Sequence, residues 1–337
     1  MKLSSIKNKL LLYLPSYRLK LHIDALNRRI DKLTEALENL NHKNDYLFWQ
    51  IMRKEGEPYE DAQKRIMFSL PQAIGDLRFI QLGNNYILKR IRSISELHNI
   101  HILLGFGTLL GAIRHHGFIP WDDDIDILVM REEFDKLVSA IRSDKELKIA
   151  TYFYYSDVPR HVIKIKLKES ETFWVDVWIC DKIGIFNSIN ETWDKTLIMT
   201  ESFITELEKQ FKQRYSSYAD SFIDLSLEKY MNEFGRRITE KNEWYNHNSE
   251  AVCLGFEYSY WFRKIMRVTE LEKAFPLVSG ILFEGEEYES FREPEEWLKR
   301  EYGDYLSFPR VIKPEHQWEI GNLSEKDRDT LNKLGIH

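Results

Sequence analysis

The chain has 337 residues, 43% of them apolar, with 48 Lys and Arg against 54 Asp and Glu for a formal charge of −6. That is enough for one sizeable core with appended helices, and the acidic balance excludes general nucleic-acid binding. Two cysteines, Cys180 and Cys253, cannot supply a disulfide framework, so a reducing compartment is expected.

The first twenty residues mix Lys2, Lys7, Lys9, Arg18 and Lys20 with leucines, and no acid precedes Asp24. Such a segment suits a membrane surface carrying anionic lipid. Its apolar run is too short to span a bilayer and no small-residue cleavage site follows, so secretion is not expected. The reading is a cytoplasmic protein with peripheral contact at the inner face of the membrane through residues 1–20.

Leu19, Ile23, Leu26, Ile30, Leu33, Leu37, Leu40, Asn44, Leu47 and Ile51 recur at alternating steps of four and three. This heptad stripe predicts a coiled coil, and Asn44 on the stripe favours a parallel, in-register homodimer. Glu55-Gly56-Glu57-Pro58 breaks the helix, closing a first region at about residue 70. A helix over about 73–99 leads into a core at 71–190, with strands near 101–104, 124–130, 150–155, 161–168 and 173–179 forming one mixed sheet. Residues 191–337 are expected to be mainly helical and to complete the site, with a helix from about 191 to 237 covering the sheet. Aromatic positions such as Trp244, Tyr245, Phe256, Tyr258, Tyr260, Trp261 and Phe262 fit core packing better than sugar stacking. The fold class is α/β (α+β) with helical additions.

Within the core, the strand ending at Leu104 passes through Gly105-Phe106-Gly107 into a helix predicted over Thr108 to Arg114. A helix start offers free N–H groups to an anion, and Gly107 lets a phosphate approach the backbone. After a second turn, Gly117 to Pro120, comes Trp121-Asp122-Asp123-Asp124-Ile125-Asp126-Ile127. The period of a strand puts Asp124 and Asp126 on one face, with Ile125, Ile127 and Val129 in a core. Two carboxylates on one face repel unless a cation lies between them, and hard oxygen ligands beside a phosphate favour Mg2+ or Mn2+. Further on, Phe173-Trp174-Val175-Asp176-Val177-Trp178-Ile179 places a charge mid-strand at Asp176, a third metal ligand or a general base. The tryptophans beside it are able to stack on a nucleobase. Three lysines share one face of Ile163-Lys164-Ile165-Lys166-Leu167-Lys168; a solvated strand face is the commoner arrangement, and an anionic donor is met if that face borders the cleft.

The stretch from Gly105 to Ile127 resembles the signature of the LicD family, whose relatives include fukutin and the fukutin-related protein. Asp176-Val177-Trp178-Ile179-Cys180-Asp181 is similar to that family's second motif, and Phe283-Glu284-Gly285, Pro294-Glu295-Glu296-Trp297-Leu298 and Tyr302-Gly303-Asp304-Tyr305 to its closing segment. The resemblance implies a nucleotidyltransferase-like fold and transfer of a phosphorylated alcohol, phosphocholine or an alditol phosphate, from a cytidine diphosphate donor to a glycan hydroxyl. It implies Gly107 and Thr108 as the phosphate-binding turn, Asp124 and Asp126 as paired metal ligands, and Asp176 as the third acidic position. Where the family carries a Phe-Pro pair, this chain has Trp178-Ile179, which alters the neighbouring pocket.

On this reading Asp176 is the first choice of base, with Asp122 or Asp123 behind it, and Arg114 neutralises developing charge or simply serves the helix dipole. Trp121, Trp178, Lys164 and Lys166 complete the substrate-binding set. His115 and His116 are loop residues that could reach a substrate. Two other classes fit the same residues: a glycosyltransferase whose Asp-x-Asp holds a nucleotide sugar, and a coiled-coil scaffold with an inactive transferase domain.

Overall fold

A computed structural model describes residues 15–155, 159–184, 276–309, 312–313 and 323–336, with scattered positions between 188 and 258. The chain divides into two compact units, residues 1–65 and 66–337.

The first unit contains one long helix, α1 (Pro15–Met52), and the start of α2 (Tyr59–Ser69). The break falls at the expected Glu55–Pro58 turn. It is held by Arg65, whose Nε and Nη2 donate to Glu57 at 2.7 and 2.8 Å. Trp49 is buried, its ring 5.0 Å from Phe48 and 5.4 Å from Tyr59. The predicted heptad stripe is an exposed face of α1. The basic segment before Pro15 lies outside the described residues, and no described helix is long and apolar enough to cross a membrane.

The second unit is a mixed sheet with helices packed on it. Its strands are β1 (Ile102–Leu104), β2 (Asp126–Met130), β3 (Leu147–Tyr155), β4 (Pro159–Leu167), β5 (Trp174–Lys182), β6 (Val252–Leu254), β7 (Val278–Phe283) and β8 (Glu286–Ser290). They run in the order β3-β4-β5-β2-β1-β8-β7, with β6 pairing to β5. The five predicted strands are all present. β2 and β5 run parallel while β1 pairs antiparallel to β2, and β4 antiparallel to β5. A parallel pair needs a crossover, and between β2 and β5 the chain supplies α5 (Arg131–Ser143) and the β3–β4 hairpin.

The predicted helix over 73–99 is α3 (Gly75–His98), ended by Asn99 in the left-handed region at φ 51°. Ile80, Ile87, Leu88 and Ile91 bury one side of it. Gly83 allows the close approach to the sheet, since a Cβ there would lie 2.3 Å from the Phe173 ring. The helix after β1 is α4 (Phe106–His115), two residues earlier than predicted, with Gly105 as its N-cap and no side-chain cap. Thr108 therefore sits inside the first turn, because extended backbone at Gly105 already starts the helix. Toward the C-terminus come α6 (Pro294–Tyr302), with Gly303 at its cap, and α7 (Glu325–Lys333). Most of the helix expected over 191–237 lies outside the described residues, as do Trp244, Phe256, Tyr260, Trp261 and Phe262. Tyr245 and Tyr258 are buried, as core aromatics.

Candidate active site

The sheet register brings the acids together. Asp126 opens β2 and lies directly opposite Asp176 on parallel β5, tied by the Asp176 N–H donating to the Ile125 carbonyl at 2.8 Å. Asp124, just before β2, joins them: each of Asp124, Asp126 and Asp176 offers a carboxylate oxygen within 4.8 Å of the others. Asp122, Asp123 and Asp124 form a second such group. Asp126 and Asp176 are 9% and 7% exposed, too buried for a shared negative charge without compensation. The three-oxygen set fits a hard divalent cation, which would remove that repulsion.

Each buried acid is gripped by an indole. Trp178 Nε1 donates to Asp126 Oδ1 at 2.7 Å, and Trp174 Nε1 to Asp176 Oδ2 at 2.9 Å. A strand places residues two apart on one face, so Trp174, Asp176 and Trp178 all reach the carboxylate side. Trp178 is in turn packed edge-on by Phe106 and Tyr258, at 5.2 and 5.0 Å. It is thus a held donor to a carboxylate as well as a candidate platform.

Thr108 and Gly107 meet the acids from α4. Thr108 Oγ1 accepts the Asp126 N–H at 2.8 Å, so its oxygen secures the start of β2. A Cβ on Gly107 would lie 2.9 Å from Asp122 Oδ2, so the glycine admits that carboxylate to the helix start. Lys164 lies across from Asp176 on β4, its Nζ 3.8 Å from Asp176 Oδ1 and 3.7 Å from the centre of the Trp174 ring. Lys166, two pairs further on, is buried and engaged by Glu171 at 2.8 Å and the Tyr152 hydroxyl at 3.2 Å. Lys168 is exposed and bonds the Asp144 carbonyl, away from the acids.

Arg114 is buried at the end of α4. Its Nη1 donates to the Tyr305 carbonyl at 2.7 Å, and its guanidinium lies 5.9 Å from the Trp121 ring centre. Burial brings its pKa down to about 10, against the pull of Asp122, so it stays a cation at neutral pH. Arg114 Nε donates to His115 Nε2 at 3.0 Å, which leaves Nδ1 to carry the proton toward the Met67 carbonyl at 2.9 Å. His115 is therefore a neutral structural link, and burial with the nearby arginine lowers its pKa to about 4. His116 caps α4 at φ 56° with its ring 5.1 Å from Phe68. From the closing segment, Tyr302 comes into the field of Asp126, Asp122 and Asp124. Although the residue is 41% exposed overall, its hydroxyl pKa is raised, first by desolvation and then by Glu301 and those acids. Asp181, at the far end of β5, is not in the cluster; it pairs with Arg131.

A further set of residues was not evident in the sequence. Gln81 Nε2 of α3 donates to the Asp122 carbonyl at 2.8 Å and Asn84 Nδ2 to the Asp123 carbonyl at 3.0 Å. Asn84 Oδ1 also accepts the Trp174 N–H at 3.0 Å, joining the acidic loop to β5. Arg78, one turn earlier, holds Glu284 through Nη2 at 2.8 Å, and Glu284 accepts the Phe118 N–H at 3.2 Å. Glu284 keeps this role from the left-handed region, φ 49°, in the turn between β7 and β8. The signal was polar residues three apart on the apolar stripe of a helix, where solvent cannot satisfy them.

Residues 99–218 match the family model described as LicD/FKTN/FKRP, nucleotidyltransferase domain. A stretch of 62 residues is 50% identical to the lipopolysaccharide cholinephosphotransferase LicD of Haemophilus influenzae, covering 18% of this chain and 23% of that protein. Stretches of 47 residues are 45% identical to uncharacterized proteins of Rickettsia prowazekii and Rickettsia typhi, in each case 14% of this chain and 18% or 15% of the relative. The chain thus aligns with less than a quarter of the length of these relatives.

Proposed function

Residues 99–218 place this chain in the LicD family, and from that premise we propose a metal-dependent phosphotransferase. It moves a phosphorylated small alcohol, phosphocholine or an alditol phosphate, from a cytidine diphosphate-linked donor to a hydroxyl of a cell-surface glycan or its lipid-linked precursor. The observation that carries this reading is the convergence of Asp124, Asp126 and Asp176 beside the start of α4, inside the matched region.

In the proposed reaction the acceptor hydroxyl attacks the distal phosphorus of the donor diphosphate, a new P–O bond forms, and the bond to the bridging oxygen breaks to release cytidine monophosphate. The hydroxyl proton passes to Asp176, with Asp122 or Asp123 as the second choice. Lys164 and the N–H groups at the start of α4 offer positive charge to the diphosphate, and Trp121 a partly exposed ring to the donor. Asp124, Asp126 and Asp176 would hold Mg2+ or Mn2+, which supplies charge neutralisation along the diphosphate when bound. Trp174 and Trp178 keep Asp176 and Asp126 aimed.

Purified protein with Mg2+, a panel of cytidine diphosphate alcohols and glycan acceptors is expected to release cytidine monophosphate with at least one donor. Turnover of a nucleotide sugar, with release of a nucleoside diphosphate and none of these donors used, would make the protein a glycosyltransferase instead.

A further inference from the structure

The longest helix among the described residues leaves its apolar face open. In heptad terms Leu19, Leu26, Leu33, Leu40 and Leu47 occupy the d positions of α1, and Ile23, Ile30, Leu37, Asn44 and Ile51 the a positions. The nine apolar members range from 48% exposed at Ile23 to 79% at Ile51. Trp49, on the other side of the helix, is 3% exposed against Phe48 and Tyr59. The helix packs within its own unit by that other side, so the stripe is left for another occupant.

We propose that the occupant is α1 of a second copy of this chain, paired as a parallel, in-register, two-stranded coiled coil. Independently of the reading of the active site, three features select this partner and this orientation. Isoleucine at three of the five a positions with leucine at every d position is the packing geometry of two strands rather than three or four. Asn44 is an exposed amide on the stripe. In register it meets its own copy and the two amides bond to each other, whereas a fully overlapped antiparallel pair sets it against Leu26 and buries it unpaired. The flanking g positions, His22, Arg29, Ala36, Lys43 and Gln50, contain no acid, so the antiparallel pair also confronts Arg29 with Lys43. In the parallel pair those residues face Asn27, Thr34, Asn41 and Phe48 at the e positions, and no like charges meet.

Sedimentation equilibrium of the full chain at micromolar concentration is expected to give twice the 40.4 kDa mass. Leu33→Glu should weaken the dimer by at least ~100-fold, because two carboxylates would face each other in one apolar layer. Its thermal unfolding and its cytidine monophosphate release should match those of the parent at a concentration where the parent is dissociated, since Leu33 is 65% exposed in the single chain. Orientation is read by oxidation of single-cysteine variants. Leu19→Cys alone should form a disulfide dimer, and the native Cys180 and Cys253, 1% and 2% exposed, give no background. A monomeric parent, an assembly of more than two chains, an unchanged mass for Leu33→Glu, or cross-linking only when Leu19→Cys is mixed with Ile51→Cys would each overturn the proposal.

Discussion

Gln81 Nε2 donates to the Asp122 carbonyl at 2.8 Å, from a side chain with no exposure to solvent. Asn84, one turn on, does the same for Asp123 and is equally buried. The backbone that carries the acidic run is therefore clamped from α3, and the side chains are left to face the site. Removing either amide takes its side-chain donor from a carbonyl of the acidic run, part-buried at Asp122 and buried at Asp123. Gln81→Leu and Asn84→Leu should each cost about 1–3 kcal/mol of stability. They should also weaken Mn2+ binding about 10-fold through loss of loop order. Urea unfolding and calorimetric metal titration measure the two effects. A stability loss with metal affinity untouched would mean that these amides hold the fold and not the site.

Trp178 poses a sharper question, because its indole N–H can be deleted while its ring is kept. Trp178→Phe preserves an aromatic group against Phe106 and Tyr258 but removes the 2.7 Å bond to Asp126 Oδ1. The freed carboxylate oxygen gains rotational freedom and loses its orientation. We expect Mn2+ affinity to fall about 10-fold and turnover to fall with it, with a stability change of about 1 kcal/mol. Equal metal affinity in parent and variant would assign Trp178 to packing alone.

Three acids within 4.8 Å of one another, Asp126 and Asp176 of them buried, make a site that is unfavourable when empty. The charge relationship predicts opposite effects of one substitution in two conditions. In EDTA, Asp126→Asn should raise the melting temperature, since the neutral amide relieves repulsion with Asp124 and Asp176 while still accepting from Trp178. In Mg2+ or Mn2+ the parent should gain stability and the variant should gain little, with turnover down at least ~1,000-fold. Thermal scans in both buffers decide the matter, and a variant that melts lower than the parent in EDTA would count against a repulsive cluster.

Much of this site was legible in the chain, for reasons that particular residues make plain. Asp124, Asp126 and Asp176 stood out because charge among branched apolar residues is costly in a strand, and strand period placed them on the right face. β1 to β5 were legible for the same reason. The clamp from α3 was not, because Gln81 and Asn84 look like ordinary helix polar residues until their partners, about forty positions away, are folded against them. The position of Arg114 was hidden likewise, since the carbonyl it serves belongs to Tyr305. The start of α4 was displaced because its cap is a glycine, which leaves no side-chain signature. α5 follows β2 with no turn residue between them, so only the switch from apolar residues to Arg131-Glu132-Glu133 marks the change of period.

Two buried histidines weaken the fold in acid, partly offset by His101, whose pKa the Glu289 carboxylate raises. His161 is fully buried against Phe153, its ring nitrogens lack partners among the described residues, and burial with help from Arg131 takes its pKa to about 3. His115 sits at about 4 for a similar reason. Both are neutral in the folded chain and titrate near 6.5 when it unfolds. Below 6.5 the unfolded chain takes up protons that the folded chain refuses until pH 4 and below, so stability falls as pH falls. The contribution of these two side chains to the loss should reach about 4 kcal/mol between pH 7 and 5, a range in which unpaired carboxylates contribute little. His161→Phe keeps the stacked ring without the titration and should remove roughly half of that dependence. Urea unfolding of parent and variant at pH 7 and pH 5 gives the comparison. Equal pH dependence in the two proteins would show that His161 is protonated as readily inside the fold as outside it.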